Sequence, residues 1–155
     1  MDQDPSIVVE ATPISLCPKI LSLLQLDETH VHLLMNAAAE GRLCMDGLFH
    51  ARRGEDFIGA AWGQIVPGRT AFTWPPRIVP GVPDSVALEL QIAVDQYLAG
   101  VGVTMTQAVL PDSDCVDAVR LTSAGYRHFA DLDYLACPRS RFPSTRPDIS
   151  LEFAI

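Results

Sequence analysis

Lysine is nearly absent from this chain of 155 residues, and acidic residues outnumber basic ones by 19 to 11, for a formal net charge of -8. Neutralisation of phosphates by Lys and Arg supplies most of the affinity of proteins for nucleic acid, so this balance excludes nucleic acid as a partner. Long apolar runs are also lacking, and without a stretch of about 18–20 apolar residues no membrane-spanning helix is expected. The first residues, Met1-Asp2-Gln3-Asp4-Pro5, carry neither the basic nor the apolar region of a secretion signal, and a cytoplasmic location is expected. Four cysteines, Cys17, Cys44, Cys115 and Cys137, are widely spaced and form no C-x-x-C pair. Neither a metal site nor a disulfide framework is expected of them, and they read as buried or idle thiols of a reducing compartment.

Hydrophobic residues make up 48% of the chain and charged ones 19%, a composition that folds, at a length that suits one domain with a full core. Residues 7–11 form a β-rich run, and Thr12-Pro13 offers a helix cap with proline behind it. Apolar residues recur at helical spacing over residues 15–26, provided that Pro18 sits in the first turn. A second helix begins at Asp27 as its N-cap and stops at Gly41. Strands are expected over residues 45–53, 57–66 and 69–74, with connections so short that they must be antiparallel neighbours, and Pro75-Pro76 is expected to end this meander. The period then becomes helical over residues 85–98, and a strand over residues 103–110 follows, long enough after the third strand to lie parallel to it. Asp112 or Asp114 is expected to cap a helix running to about Ser123, and residues 129–137 to supply a sixth strand. Residues 138–148 are a Pro/Arg-rich linker whose Arg139, Arg141 and Arg146 read as a solvated charge run. Residues 149–155 form a terminal strand, either the last of this sheet or the first of a further domain.

The order strand, two helices, three-strand meander, helix, strand, helix, strand resembles the plan of the GNAT superfamily of N-acetyltransferases. Phe57-Ile58-Gly59-Ala60-Ala61-Trp62 looks like the family's third strand. Leu121-Thr122-Ser123-Ala124-Gly125-Tyr126 resembles the segment that closes its fourth helix, and Arg69-Thr70-Ala71-Phe72-Thr73-Trp74-Pro75-Pro76 resembles the fourth strand of one bacterial subgroup in which such a domain precedes a second GNAT domain. The likeness spans residues 7–137. It implies an α/β (α+β) fold, the GNAT-like acyl-CoA N-acyltransferase fold, with a mixed, mostly antiparallel sheet of six or seven strands flanked by about four helices.

The resemblance further implies acetyl-CoA as cofactor, its pyrophosphate held by main-chain N–H groups where the third helix begins and the helix dipole favours an anion. The cofactor-binding residues it selects are Gly81, Val82, Ser85, Val86 and Ala87. Where the family carries Arg/Gln-x-x-Gly-x-Gly/Ala, this chain has Val82-Pro83-Asp84-Ser85-Val86-Ala87, so Val82 replaces the basic residue, Ser85 a glycine, and Asp84 brings a carboxylate beside the phosphates. Leu121 occupies the place of the tyrosine that serves as general acid. Two readings follow: an N-acetyltransferase for a small-molecule or peptide amine, and a non-catalytic, degenerate domain that packs against or regulates a catalytic GNAT domain. The second reading brings a second GNAT domain as partner, and a last strand with no home invites a homodimer.

Among other polar residues, Glu55 and Asp56 suit a hairpin turn, His50 on its strand suits either catalysis or a solvent-facing or hydrogen-bonded structural role, and Tyr126 at its family position mainly fills core with its hydroxyl reaching the edge. His30 and His32 lie ~200° apart on a helix and cannot share a metal. Trp62 and Trp74 form a pair across the sheet, while Gly59 and Gly63 mark a bulge or a close backbone approach that would suit a cleft.

Overall fold

A computed structural model describes residues 6–132 and Arg141. The chain forms β1 (Ile7–Ala11), α1 (Cys17–Leu23) after a short 3-10 turn (Ile14–Leu16), α2 (Glu28–Ala39), β2 (Leu48–Arg53), β3 (Asp56–Val66), β4 (Thr70–Ile78), α3 (Asp84–Gly100), β5 (Met105–Gln107) and α4 (Val116–Ser123). The strands lie side by side in the order β1-β2-β3-β4-β5. The first three pairings are antiparallel and β4 runs parallel to β5, as the long helical connection between them demands. The fold is thus mixed α+β, with five strands among the described residues.

Alternation along the strands divides the core in two. Leu48, Ala60 and Trp62 face α1 and α2, where Cys17, Ile20, Leu21, Leu24 and Val31 cover them. Ala51, Ile58, Ala61 and Ala71 face α3 and meet Val86, Leu90, Val94 and Leu98. Those four α3 positions recur every three to four residues, the spacing that puts them on one helix face, and each such side chain contributes on the order of 1.5–3 kcal/mol by leaving water. Asp27 caps α2 as expected, accepting from the His30 N–H at 2.9 Å. Pro18 stands in the first turn of α1, where its missing N–H costs no hydrogen bond.

Several boundaries differ from the sequence reading. The first helix is split into the 3-10 turn and α1, and Thr12 caps neither: its Oγ1 lies 3.0 Å from His50 Nδ1. Pro75-Pro76 does not end the meander, because β4 continues to Ile78. Trp74 pairs with Trp62 and Arg77 with Ala60, so two β4 residues stand against the single Ala61. The prolines fall on this bulge, where the ladder makes no demand on a donor. The strand expected over residues 103–110 shrinks to Met105–Gln107, and the N-cap of α4 is Cys115 rather than Asp112 or Asp114. Asp112 instead accepts from the Asp114 N–H, closing the turn before the helix. Of the expected sixth strand, residues 129–132 are irregular and Phe129 is 99% exposed, while residues 133–137 lie outside the described residues, as do the linker save Arg141 and the terminal strand. Among the described residues no helix is long and apolar enough to cross a membrane.

Candidate active site

The parallel pairing of β4 with β5 is brief. Thr70, Ala71 and Phe72 pair with Met105, Thr106 and Gln107, after which β5 ends and β4 runs on alone to Ile78. The two chains therefore part at Thr73, and the β5-facing edge of residues 73–78 is left without a strand partner. This fork is bounded by α3 on one side and by α4, which packs on both α3 and β4. An extended ligand entering it meets a free strand edge along its length and a helix N-terminus at its open end.

That N-terminus is the stretch selected from sequence. The structure brings Gly81, Val82 and Ser85 together at the start of α3, Gly81 with φ +85° in the turn and Pro83 as N-cap. Gly81 and Ser85 are exposed and Val82 is half-buried against the α3-side core. Val86 and Ala87 are buried core side chains, so they have only their main chain to offer a ligand. Pro83 carries no N–H, which leaves the amides of Asp84 and Ser85 as the first free donors.

Two arginines lie here to which sequence reasoning assigned no role: Arg77 fits the family's basic position only in a shifted alignment that puts Pro80 at a glycine position, and Arg120 was missed. Arg120 of α4 reaches across to Asp84, Nη2 to Oδ1 2.7 Å, and Arg77 of β4 pairs with the nearly buried Asp117 of α4. Both acids and both bases meet only through the packing of α4, and their separations in sequence, 36 and 40 residues, carry no periodic signal.

At the closed end of the fork lies a buried polar network. Gln91, 1% exposed, directs its Nε2 to Thr73 Oγ1 at 3.1 Å, Asp95 Oδ1 at 3.0 Å and the Tyr126 hydroxyl at 3.1 Å, and that hydroxyl donates to Asp95 Oδ1 at 2.7 Å. Burial pushes both Asp95 and Tyr126 up from their ordinary values, Tyr126 further because its neighbour is a carboxylate. Tyr126 therefore keeps its proton at neutral pH. Gln91 Oε1 has no partner. A cleft of about 380 Å³ opens beside the network, lined by Asp95, Leu98, Thr104, Thr106 and Tyr126 among others. A signal for Gln91 exists in the sequence: it is a polar residue on the α3 face that otherwise holds Ala87, Leu90, Val94 and Leu98. Leu121, at the family's tyrosine position, is buried in the packing of α4.

The other candidates resolve into structure. His50 of β2 is buried and bound to Thr12, with Glu10 Oε1 3.3 Å from its Nε2 and the Phe57 ring edge-on at 5.1 Å. Burial lowers its pKa and keeps the ring neutral, and nothing connects it to the fork. Glu55 occupies the β2–β3 turn with Gly54 at φ +60°, whereas Asp56 opens β3. Trp62 and Trp74 stack at 5.5 Å, an ordinary cross-strand pair. Gly59 and Gly63 serve helix packing rather than a cleft: a Cβ on Gly63 would stand 2.8 Å from Leu98 Cδ1 and Val94 Cγ1. Among the described residues no cluster of three or more potential ligands could hold a metal.

The element order, the bulged β4, the fork and the helix that starts at its mouth together define the acyl-CoA N-acyltransferase fold of the GNAT proteins. Solved acetyltransferases superpose on it over most of their length. A predicted acetyltransferase with acetyl-CoA from Clostridium acetobutylicum has a TM-score of 0.67 at 9% identity, covering 84% of this chain and 96% of that one. An IAA acetyltransferase from Bacillus cereus gives 0.65 at 20% identity over 84% and 83%. An aminoglycoside acetyltransferase from an uncultured soil metagenomic sample, in complex with sisomicin, gives 0.64 at 12% identity over 85% and 97%. At these identities the likeness is one of fold. No protein-family model matches the chain, and no curated protein matches it in sequence.

Proposed function

We propose that the domain binds acetyl-CoA in the β4–β5 fork and transfers its acetyl group to an amine, a small molecule or a peptide. The observation that carries this reading is the fork itself: a strand edge freed of its partner at Thr73 and leading to the N-terminus of the 17-residue α3. The pantetheine arm would hydrogen-bond along residues 73–78, the pyrophosphate would meet the amides of Asp84 and Ser85, and the thioester would lie near Thr73 and Gln91. A similar structure holds acetyl-CoA and another holds CoA, which supports the assignment of the fork without placing the ligand in this chain. At the thioester end the Tyr126 hydroxyl is fixed by Asp95 and Gln91 and, with its proton committed to Asp95, lines the site as a positioned polar group.

A second reading has its own observation. Asp84 and Pro83 at the mouth of the fork, and the pairing of Asp84 with Arg120, favour a domain that has given up catalysis and packs against a catalytic GNAT domain.

Calorimetric titration of the purified protein with acetyl-CoA and CoA separates the two. The enzyme reading expects micromolar binding and, at a hundredfold excess over Kd, about 2.7 kcal/mol of linkage stabilisation, a rise in Tm of roughly 5–10 °C. Absence of heat and of any Tm shift at millimolar ligand would leave the non-catalytic reading standing.

A further inference from the structure

The fork poses an electrostatic problem. Its mouth lacks the loop cation, Val82 standing there, and it carries the carboxylate of Asp84, 77% exposed, on the first residue of α3. A diphosphate at that point would face a like charge. The structure supplies the missing cation from another element. Arg120 projects from the last turn of α4 onto the start of α3, its side chain 19% exposed and its Nη2 2.7 Å from Asp84 Oδ1. Its Nε is buried without a partner, so the group has donor capacity left over at this place. Arg77 and Asp117, one turn earlier on the same face of α4, pin the helix so that Arg120 stays over the mouth. At the other end of the fork, independently of the helix terminus, the fully buried Gln91 bonds Thr73 through its Nε2 and keeps its Oε1 without a partner, an acceptor left over in the network beside the cleft.

We propose that Arg120 is the diphosphate-binding cation of this domain, and that Asp84 is its built-in competitor, occupying the guanidinium until a ligand takes it. This inference rests on the reading of the fork as the CoA site and adds to it which side chain holds the anion and what closes the mouth beforehand. Asp84 sits on a flexible exposed side chain and can swing to water at little cost, whereas Arg120 is held by its surroundings. The exchange therefore moves the acid and leaves the base in place. Binding gains a charge-assisted, two-pronged contact from guanidinium to phosphate and loses one ion pair with a largely solvated partner.

The test is a double-mutant cycle read by calorimetry with CoA and, in parallel, inorganic pyrophosphate, on wild type, Asp84→Asn, Arg120→Gln and the double variant. Asp84→Asn keeps a side chain suited to a helix start and is expected to bind CoA about tenfold tighter; Arg120→Gln is expected to bind on the order of tenfold or more weakly. The decisive result is the coupling: in the Arg120→Gln background the gain from Asp84→Asn should shrink to twofold or less. If the full gain persists there, Asp84 acts by plain repulsion and the role of Arg120 is overturned. Arg120→Lys, which keeps the charge, guards against loss of fold and should stay within a few-fold of wild type. Pyrophosphate that binds in the expected rank order while CoA does not would sink the thioester reading and leave the anion site. No binding of either probe to wild type or to Asp84→Asn would sink both.

Discussion

Tyr126 shows how a single residue ties stability to the polar network at the closed end of the fork. Its hydroxyl is the donor that a buried carboxylate needs, and Asp95 would otherwise face the core with Gln91 alone. Tyr126→Phe removes that donor and is expected to cost about 1–3 kcal/mol at pH 7. Burial already raises the pKa of Asp95 above 3.8, and the bond from Tyr126 works against that rise, so its loss pushes the carboxyl higher still. A carboxyl with a raised folded-state pKa binds its proton more tightly folded than unfolded, so it opposes folding above its folded pKa and ceases to do so once protonated in both states. The cost of Tyr126→Phe should therefore shrink as the pH falls from neutrality through the raised folded-state pKa of Asp95, which lies above the ordinary 3.8, as urea melts at pH 7 and pH 4 would show. An equal cost at both values would mean that the bond to Asp95 contributes nothing. The sequence alone assigns Tyr126 to core filling. Its partners stand 31 and 35 residues away, and no local pattern announces a bond that exists only once α4 has turned the chain back onto α3.

Among the elements, the pairing of β2 with β3 depends on a contact that no side chain can enter. At the start of β2 the Gly63 N–H donates to Gly47 O at 3.0 Å, and a Cβ on Gly47 would lie 2.1 Å from Gly63 O. Gly47→Ala must push two backbones apart at the centre of the sheet. We expect a loss of ~3 kcal/mol, at the top of the range for overpacking, and a fall in Tm of roughly 6–12 °C in a thermal melt. Gly41→Ala makes the comparison, since no atom lies within 4 Å of its Cβ and only its φ of +71° penalises the change. Element by element, the periodicities served well wherever burial sets them: α2 with its Asp27 cap, the antiparallel strands, and α3 all fall near their expected places. They failed where tertiary pairing overrides local preference. Pro75-Pro76 reads as a stop, yet β4 passes through it because the bulge opposite Ala61 asks for no N–H there. The strand after Gly102 reads as eight residues and forms three, because β4 turns away from it at the fork. The start of α3 was legible as a helix boundary with a turn glycine before it, since both are local features. Arg120 and Gln91 were not assigned, because a side chain arriving from another element leaves no mark on the segment it reaches.

For the whole molecule, the net charge of -8 sets the approach of any charged ligand before a contact is made. CoA is a polyanion, and at low ionic strength, with a Debye length of about 30 Å near 0.01 M, it feels the field of the entire acidic surface. At 0.15 M that length is ~8 Å, shorter than the domain, and the ligand senses little beyond the mouth of the fork, where Arg120 and Arg77 lie. Screening should therefore remove long-range repulsion faster than it removes the attraction of a guanidinium in direct contact with the ligand. The association rate of CoA is expected to rise between 0.01 and 0.15 M salt, by about threefold or more, while that of a cationic amine acceptor falls over the same range. Stopped-flow binding at a series of salt concentrations measures both. A rate for CoA that falls steadily with salt would show that the arginines dominate the field even at long range, and that the acidic surface plays no part in admitting the ligand.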